Sequence, residues 1–385
     1  HNRCRRQRQM CIRDSLKCGG NGLGGPEDDT TKKGPDKTIA RSLATQYMEI
    51  VQSKADCDLG TFKAAVDKGT ELVKHTGRWK SAVEVLRTVW TEKHGNHMTG
   101  LADEDLDGLL DADLLQFIRE MATTGVQVRH RPITGRIRSD PHKSVLEHMH
   151  EALEKVWKDT HRGRVLLCSA ELQMELEGVI STPQGRVPKQ NPDRTLSTEG
   201  RFVHDQRLVN AYGSKEDHPP ALQPKHRELA RLILWWKMRL PGVKVLIAKR
   251  DVKDAYKLIW LCLNDVGLFA TELPGDVAGI TGSVLVLYLV LTFGWGGSPG
   301  NYMALGFARG QLFETRRPAM PSWHDDIPFH DKTLMDDTIL VEPQIGIRPF
   351  LSGHWCETTL RTMFGPEAVN AVSYTHLRAH ETKCY

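Results

Sequence analysis

The pattern of apolar and polar positions towards the C-terminal end of the sequence predicts a β-hairpin. Leu334 and Met335 on one side, and residues 339–341 on the other, form short apolar flanks around Asp336 and Asp337. A polar pair between two apolar runs is typical of a tight turn between strands. Because successive side chains of a strand point to opposite faces, the two aspartates can diverge, so that one of them faces a site.

An apolar run upstream of this hairpin predicts a strand that ends in a carboxylate. Residues 243–248 are rich in aliphatic and β-branched side chains, and Asp251 follows shortly after them. A carboxylate at the end of a buried strand is costly unless a cation or a metal ion pairs with it. We therefore expect Asp251 and Asp336 to share a divalent cation.

Another apolar run, residues 284–291, predicts a buried strand, and no apolar run in the sequence is long enough to cross a bilayer. Residues 293–299 follow it with the sequence FGWGGSP, in which glycines and a proline surround one tryptophan. Glycine lets a backbone approach a ligand closely, although the same composition also suits an ordinary turn.

The N-terminal part of the chain has a helical period instead. Apolar residues recur every three or four positions between residues 39 and 120. The two clearest sets are Ile39, Leu43, Tyr47, Ile50 and Val51, and Trp79, Val83, Leu86 and Trp90. We interpret both sets as the core faces of helices, in a region to which the sequence assigns no chemistry.

Composition bounds the class of protein. The 385 residues are 39% hydrophobic and 26% charged, which is typical of a soluble globular protein with two or three domains. The 8 cysteines show neither zinc-site spacing nor a disulfide framework. We therefore expect a reducing intracellular location, in the cytoplasm or the nucleus.

The two ends of the chain change the charge argument. Residues 1–15 and 373–385 resemble translated sequencing-adapter DNA, and such segments are excluded from the expected fold. They carry net charges of +4 and +1, so subtracting both from the whole-chain +4 leaves −1 for residues 16–372. Overall charge therefore does not indicate nucleic acid. Residues 222–257, however, hold ten Lys or Arg against three acids, a local field that attracts phosphates.

Three stretches, in this order, resemble the palm motifs of reverse transcriptases, above all those of retroviruses and retrotransposons. They are residues 251–256 (DVKDAY), 293–299 (FGWGGSP) and 334–337 (LMDD). Residues 185–189 (GRVPK) and 201–210 (RFVHDQRLVN) are similar to the fingers strands of the same family, including its Asp-x-Arg-x-x-Asn run. The resemblance covers about residues 126–372.

This resemblance implies an α+β fold of right-hand polymerase fingers and palm, with an antiparallel palm sheet, flanking helices and a small helical region in front. The expected segments are an adapter-like end (1–15), a flexible linker (16–38), a helical N-terminal region (39–125), fingers (126–240), a truncated palm (241–372) and a second adapter-like end (373–385). Thumb and ribonuclease H regions of the same polyprotein would lie downstream.

The resemblance also implies a nucleotidyltransferase, an RNA-directed DNA polymerase that adds deoxynucleoside triphosphates to a primer on an RNA or DNA template. Two Mg²⁺ ions, or Mn²⁺ in their place, would assist the phosphoryl transfer. Asp251, Asp336 and Asp337 are the implied catalytic acids and metal ligands, and the carbonyl of Val252 is a further ligand. Hard cations of this kind prefer oxygen donors. No membrane is expected among the partners.

Other residues are implied to bind the nucleotide. Lys189 and Arg201 would neutralise the triphosphate, and the ring of Tyr256 would lie under the sugar and exclude a ribose 2′ hydroxyl. The glycine-rich loop would complete the substrate site with Phe293, Gly294, Gly297 and Ser298. Phe293 stands where retroviruses often have Gln, and Leu334 stands where the family usually has Tyr or Phe.

Two alternatives are compatible with the same motifs. A decayed, catalytically inactive retroelement fragment would keep the fold and only bind nucleic acid. An RNA-templated RNA polymerase would share the palm acids, but the deoxy-selecting ring expected at Tyr256 argues against it.

Overall fold

In the computed structural model the chain is a mixed α+β protein, and the sheets of its described part are built from antiparallel strand pairs. The structure describes residues 36–95, 101, 106–191, 193–318, 327–369 and 375–378, the last of these by backbone alone. The predicted artefact at 1–15 and most of the predicted linker at 16–38 lie outside these residues. The chain is already helical at Lys37, within the predicted linker.

Ten α-helices and nine β-strands lie within the described residues. The helices are α1 (Lys37–Gln52), α2 (Leu59–Thr76), α3 (Trp79–His94), α4 (Ala112–Thr124), α5 (Lys143–Leu146), α6 (Met149–His161), α7 (Arg207–Tyr212), α8 (His226–Arg239), α9 (Ser298–Glu314) and α10 (Arg348–Phe364). The strands are β1 (Val165–Ser169), β2 (Gln184–Gln190), β3 (Leu196–His204), β4 (Val245–Asp251), β5 (Ala270–Pro274), β6 (Ser283–Tyr288), β7 (Asp331–Leu334), β8 (Asp337–Pro343) and β9 (Thr375–Arg378). Within the described ranges, no helix combines the length and the apolar character that a membrane span requires.

The first four helices confirm the helical prediction for the N-terminal region. Asp36, Asp58 and Asp111 cap α1, α2 and α4, because each side chain accepts a hydrogen bond from a backbone N–H of the first turn. The predicted tryptophan-containing face of α3 is buried, as expected for a core face. Ile39 of α1 is 48% exposed and does not belong to the core face predicted for it.

The helical region covers one edge of a sheet. β1 is an edge strand in the order β1-β6-β5, and the hydroxyl of Tyr47 in α1 accepts a hydrogen bond from Leu167 N at 3.0 Å. The hydroxyl of Thr70 in α2 accepts a hydrogen bond from Ser169 N at 2.8 Å. Gly69 approaches β1 so closely that a Cβ there would lie 1.9 Å from Leu167 O. One apolar core therefore runs from α1 to α10.

The predicted buried strand and the predicted hairpin are both confirmed. β6 is the central strand of the first sheet, and its residues 284–288 are buried. β7 and β8 form the hairpin within a second sheet, whose order is β7-β8-β4-β9. β4 ends at Asp251, as the apolar run predicts.

Different helices cover the two faces of the second sheet. On one face, Leu340 of β8 joins the main core with α9 and α10. On the other face, Trp236 of α8 donates a hydrogen bond from Nε1 to Val341 O at 3.0 Å and forms a smaller apolar cluster. Side chains alternate along a strand and cross-strand partners share a face. Asp337 and its partner Asp251 therefore lie on the face that α8 covers.

β9 lies within residues 373–385, the segment that the sequence excludes from the fold. Its backbone pairs antiparallel with residues 246–249 of β4. An edge strand offers unpaired N–H and C=O groups to any extended segment, so this pairing requires no match between side chains. The structure thus differs from the expectation, because part of this segment completes the second sheet.

Candidate active site

The end of β4 and the turn between β7 and β8 bring the three predicted acids together. Asp251, the last residue of β4, lies directly opposite Asp337, the first residue of β8. Asp336 occupies the turn, and its carbonyl accepts a hydrogen bond from Val252 N at 3.0 Å. Met335 has a φ of 54°, the left-handed conformation typical of two-residue hairpin turns. The predicted hairpin tip is confirmed for Asp336, whereas Asp337 belongs to the strand.

The carboxylates share one electrostatic environment. Burial raises the pKa of Asp336, and the charges of Asp337 and Asp251 raise it further, because like charges disfavour ionisation. Lys249 Nζ lies 2.7 Å from Asp337 Oδ2, and this hydrogen bond raises the pKa of Lys249. Sequence reasoning missed Lys249 as a site residue. Its signal is the position two residues before Asp251, which places both side chains on one face of β4.

The donor chemistry of these acids suits a hard divalent cation. Carboxylate oxygens are the ligands that Mg²⁺ prefers, and a cation would relieve the repulsion that raises the pKa of Asp336. Within the described part of the chain, no group of three or more His, Cys, Asp or Glu side chains is arranged so that it could hold a metal ion. Val252, the predicted backbone ligand, is 4% exposed. A bound cation would also compete with Lys249 for Asp337.

Tyr256 lies beside the acids on a single 3-10 turn, Ala255–Leu258, that follows β4. Its ring centroid is 4.7 Å from that of Phe293 and 5.7 Å from that of Tyr302. Burial raises the pKa of Tyr256, and the charge of Asp336 raises it further. Phe293 is 46% exposed whereas Tyr256, the predicted sugar contact, is only 7% exposed, so the aromatic surface open to a ligand here is that of Phe293.

An ion-pair network holds this 3-10 turn from both ends. Asp254, immediately before the turn, has a φ of 60°, and its carboxylate lies 2.9 Å from the guanidinium of Arg164. Lys257, within the turn, has its Nζ 2.6 Å from Asp159 Oδ2 in α6. Arg164 itself lies 3.6 Å from Asp159, which closes the network. Sequence reasoning missed these residues, because the partners lie 90 or more positions apart along the chain.

The helix α7, which follows the β2–β3 hairpin, holds the glycine-rich loop. Asn210 donates a hydrogen bond from Nδ2 to Gly294 O at 2.9 Å, and its Oδ1 accepts one from Gly296 N at 2.8 Å. Gly294 has a φ of 109°, and a Cβ there would lie 2.0 Å from His204 O, so a larger residue would not fit. Asn210 is the last residue of the predicted Asp-x-Arg-x-x-Asn run, and its two hydrogen bonds fix the position of the loop.

Gly297 and Ser298 differ from the predicted substrate contacts. Both are buried at the start of α9, and the Ser298 hydroxyl donates a hydrogen bond to Thr292 O at 2.8 Å. These two residues therefore support the loop from its buried side and are not exposed to a ligand. Of the four predicted substrate contacts in the loop, Phe293 and Gly294 are exposed.

The two predicted triphosphate ligands lie on the β2–β3 sheet. Arg201 of β3 is exposed. Lys189 of β2 has its Nζ 2.5 Å from Glu199, which lies two positions before Arg201 and so on the same face of β3. Glu199, which sequence reasoning did not single out, thus binds the lysine predicted to bind a triphosphate. The hairpin reaches the glycine-rich loop through His204, whose N–H donates to Phe293 O at 3.3 Å.

Comparison with known proteins adds no family to this geometry. No protein-family model matches the chain, and no curated protein is significantly similar to it. The acids, the aromatic rings and the loop beside them are therefore the basis for assigning a function.

Proposed function

We propose that this chain is a nucleotidyltransferase of the reverse-transcriptase type, which extends a primer on an RNA or DNA template with deoxynucleotides. The observation that carries the proposal is the meeting of Asp251, Asp336 and Asp337 at one end of a sheet, with Tyr256 and Phe293 alongside. Phosphoryl transfer mainly requires that the protein position charges and align the nucleophile. This end of the sheet offers carboxylates for cations and an aromatic surface for a sugar.

The proposed roles follow from the positions of the residues. Asp251 and Asp336 would hold divalent cations, and Asp337 would join them once Lys249 releases it. When bound, two such ions activate the primer hydroxyl and stabilise the charge on the leaving group. Tyr256 would support the sugar from its fixed turn.

The β2–β3 hairpin would supply the cations for the triphosphate. Arg201 is exposed and suits two phosphate oxygens through its planar fork, while Lys189 would exchange Glu199 for phosphate. The hydrogen bonds of Asn210 to the glycine-rich loop would then keep the hairpin and the acids in one relative position.

Primer extension under single-turnover conditions tests the proposal. A labelled DNA primer annealed to RNA is mixed with an excess of the chain, so that a loose grip on the duplex does not limit detection, and with deoxynucleotides and Mg²⁺ or Mn²⁺. We expect extension by the wild type and a loss of roughly a hundredfold or more in Asp336→Asn, because a neutral amide is a poor cation ligand. Asp276→Asn, at an exposed aspartate after β5, is the matched control and should keep the wild-type rate.

Absence of extension by the wild type with either metal ion would contradict the proposal. If that chain still bound the primer–template, the inactive nucleic-acid-binding alternative would be favoured. Equal rates for Asp336→Asn and the wild type would remove the acids from the mechanism.

A further inference from the structure

α8 presents a strongly basic surface. Arg227, Arg231, Lys237 and Arg239 are exposed on this helix, and we call them the α8 basic surface. No ion pair to any of the four is found within the described residues. The helix contains one acid, Glu228, and its carboxylate accepts a hydrogen bond from Lys225 N at the start of the helix. With four cations against one acid, α8 keeps a net charge of +3.

The position of α8 relates these charges to the acids. Trp236 anchors the helix on the same sheet face as Asp251 and Asp337, and its contact, Val341, is four residues along β8 from Asp337. At about 3.3 Å per residue, the anchor lies roughly 13 Å from the acids. A helix turns by 100° per residue, so Arg227 projects on the side opposite Trp236.

Apolar side chains are interspersed with these cations. Leu234, Trp235 and Met238 are 56%, 40% and 72% exposed. Arg227 and Arg231 share a helical stripe with Leu234 and Met238, since these positions are separated by three or four residues. A helix that lies on a lipid surface keeps its apolar and cationic faces apart, and α8 does not. A nucleic-acid backbone can contact both the cationic and the apolar side chains, because it presents regularly spaced phosphates beside apolar sugar edges.

We propose that the α8 basic surface binds the phosphate backbone of a nucleic-acid duplex that has one end at the acids and passes over the outer side of α8. A duplex with one end at Asp251 and Asp337 would pass α8 within its first helical turn of about 34 Å. The inference rests on the proposed function for the identity of the duplex, a primer–template. Duplex binding requires neither divalent cations nor nucleotide addition, so it can be measured separately from primer extension.

Salt-dependent binding tests this inference. A fluorescent RNA–DNA hybrid is titrated with the full chain in EDTA at several KCl concentrations, without nucleotides, and anisotropy gives the affinity. In Arg227→Gln/Arg231→Gln we expect the log–log salt slope to shrink by about 1.8 and the affinity to fall roughly tenfold or more, because each lost phosphate contact removes about 0.9 from the slope. The control is Lys37→Gln/Lys74→Gln, which removes the same charge from exposed positions on α1 and α2.

The outcomes separate this inference from the proposed function. If the double variant and the control have equal slopes, α8 does not bind the duplex. A double variant that loses binding to phosphatidylserine vesicles while keeping duplex binding would also overturn the inference, in favour of a lipid surface. If the wild type binds the hybrid through α8 but extends no primer, the inference stands and the proposed function fails.

Discussion

Tyr256 combines a nearly buried ring with a phenol in the field of Asp336. The ring cannot move freely, because Phe293 and Tyr302 pack against it and ion pairs hold the turn on both sides. A ring fixed in this way can exclude a 2′ hydroxyl by its volume alone. Under the proposed function, the choice between ribo- and deoxynucleotides depends on this one side chain.

We expect Tyr256→Val to admit ribonucleotides, because the shorter side chain opens space under C2′ and leaves the acids untouched. The ratio of ribo- to deoxynucleotide incorporation should rise roughly tenfold or more, measured by primer extension with each nucleotide alone. Tyr256→Phe is the matched control, since it keeps the ring. An unchanged ratio in Tyr256→Val would make Tyr256 a packing residue and remove the main argument against an RNA polymerase.

His204 makes the stability of the fold depend on pH. It is buried against Tyr288, with ring centroids 4.5 Å apart, and burial lowers its pKa from 6.5 to about 3. The unfolded chain therefore binds a proton below pH 6.5 that the folded chain rejects, so this residue makes stability fall as pH falls from 6.5 towards 3.

We expect this loss to reach about 1.4 kcal/mol per pH unit below pH 6.5. Urea unfolding of the wild type and of His204→Phe at several pH values measures it, because the phenyl ring fills the site without titrating. The difference in unfolding free energy should shift in favour of the variant as the pH falls. Parallel pH curves would show that His204 is not buried in the neutral form.

At the scale of elements, the β2–β3 hairpin, the glycine-rich loop and α9 form one connected unit. His204 at the end of the hairpin and Asn210 in the following helix α7 both bond to the loop, and the loop leads into α9 through Ser298. Close approach of the backbones requires Gly294 at the contact with His204. The position of Phe293 beside Tyr256 therefore depends on the hairpin.

Asn210→Ala should loosen this unit. Two hydrogen bonds are lost, so we expect the unfolding free energy to fall by about 1–2 kcal/mol and primer extension to slow. Denaturant midpoints and single-turnover rates measure the two effects. Asn210→Asp, which keeps the acceptor for Gly296 N but cannot donate to Gly294 O, should lie between the wild type and Asn210→Ala. Wild-type behaviour of both variants would separate the hairpin from the loop.

At the scale of the whole molecule, the helical N-terminal region shares one apolar core with the first sheet. α1 and α2 supply the hydrogen bonds that the edge of β1 lacks, and their apolar faces belong to the main core. A buried backbone group without a partner is costly, so this docking stabilises β1. The region that sequence reasoning left without a role is thus a structural cover for the first sheet.

Tyr47→Phe tests this docking. Removing the hydroxyl leaves Leu167 N buried without its partner, so we expect the unfolding free energy to fall by about 1–3 kcal/mol while unfolding remains a single transition. Calorimetry and urea unfolding measure both features. The control is Tyr212→Phe, at a half-buried tyrosine of α7 away from this contact, and it should change stability much less. Two separate transitions in the wild type would show that the helical region folds on its own.

The sequence by itself determined the features that depend on near neighbours along the chain. The end of β4 at Asp251, the hairpin turn at Asp336 and the helical period of α1–α4 follow from apolar patterns a few residues long. Local backbone preferences and side-chain alternation are sufficient for such predictions. The α+β class was implied by the resemblance to reverse transcriptases, and the structure agrees with it.

Only the tertiary structure decided which charged groups meet and which residues are covered. The ion pair between Lys249 and Asp337, the network from Asp254 to Arg164 and the burial of Ser298 depend on contacts across the fold. The addition of β9 to β4 also escaped the sequence, because backbone pairing at an edge does not depend on side-chain pattern. Contacts between distant positions are set by how the elements pack, and no short stretch of sequence encodes that.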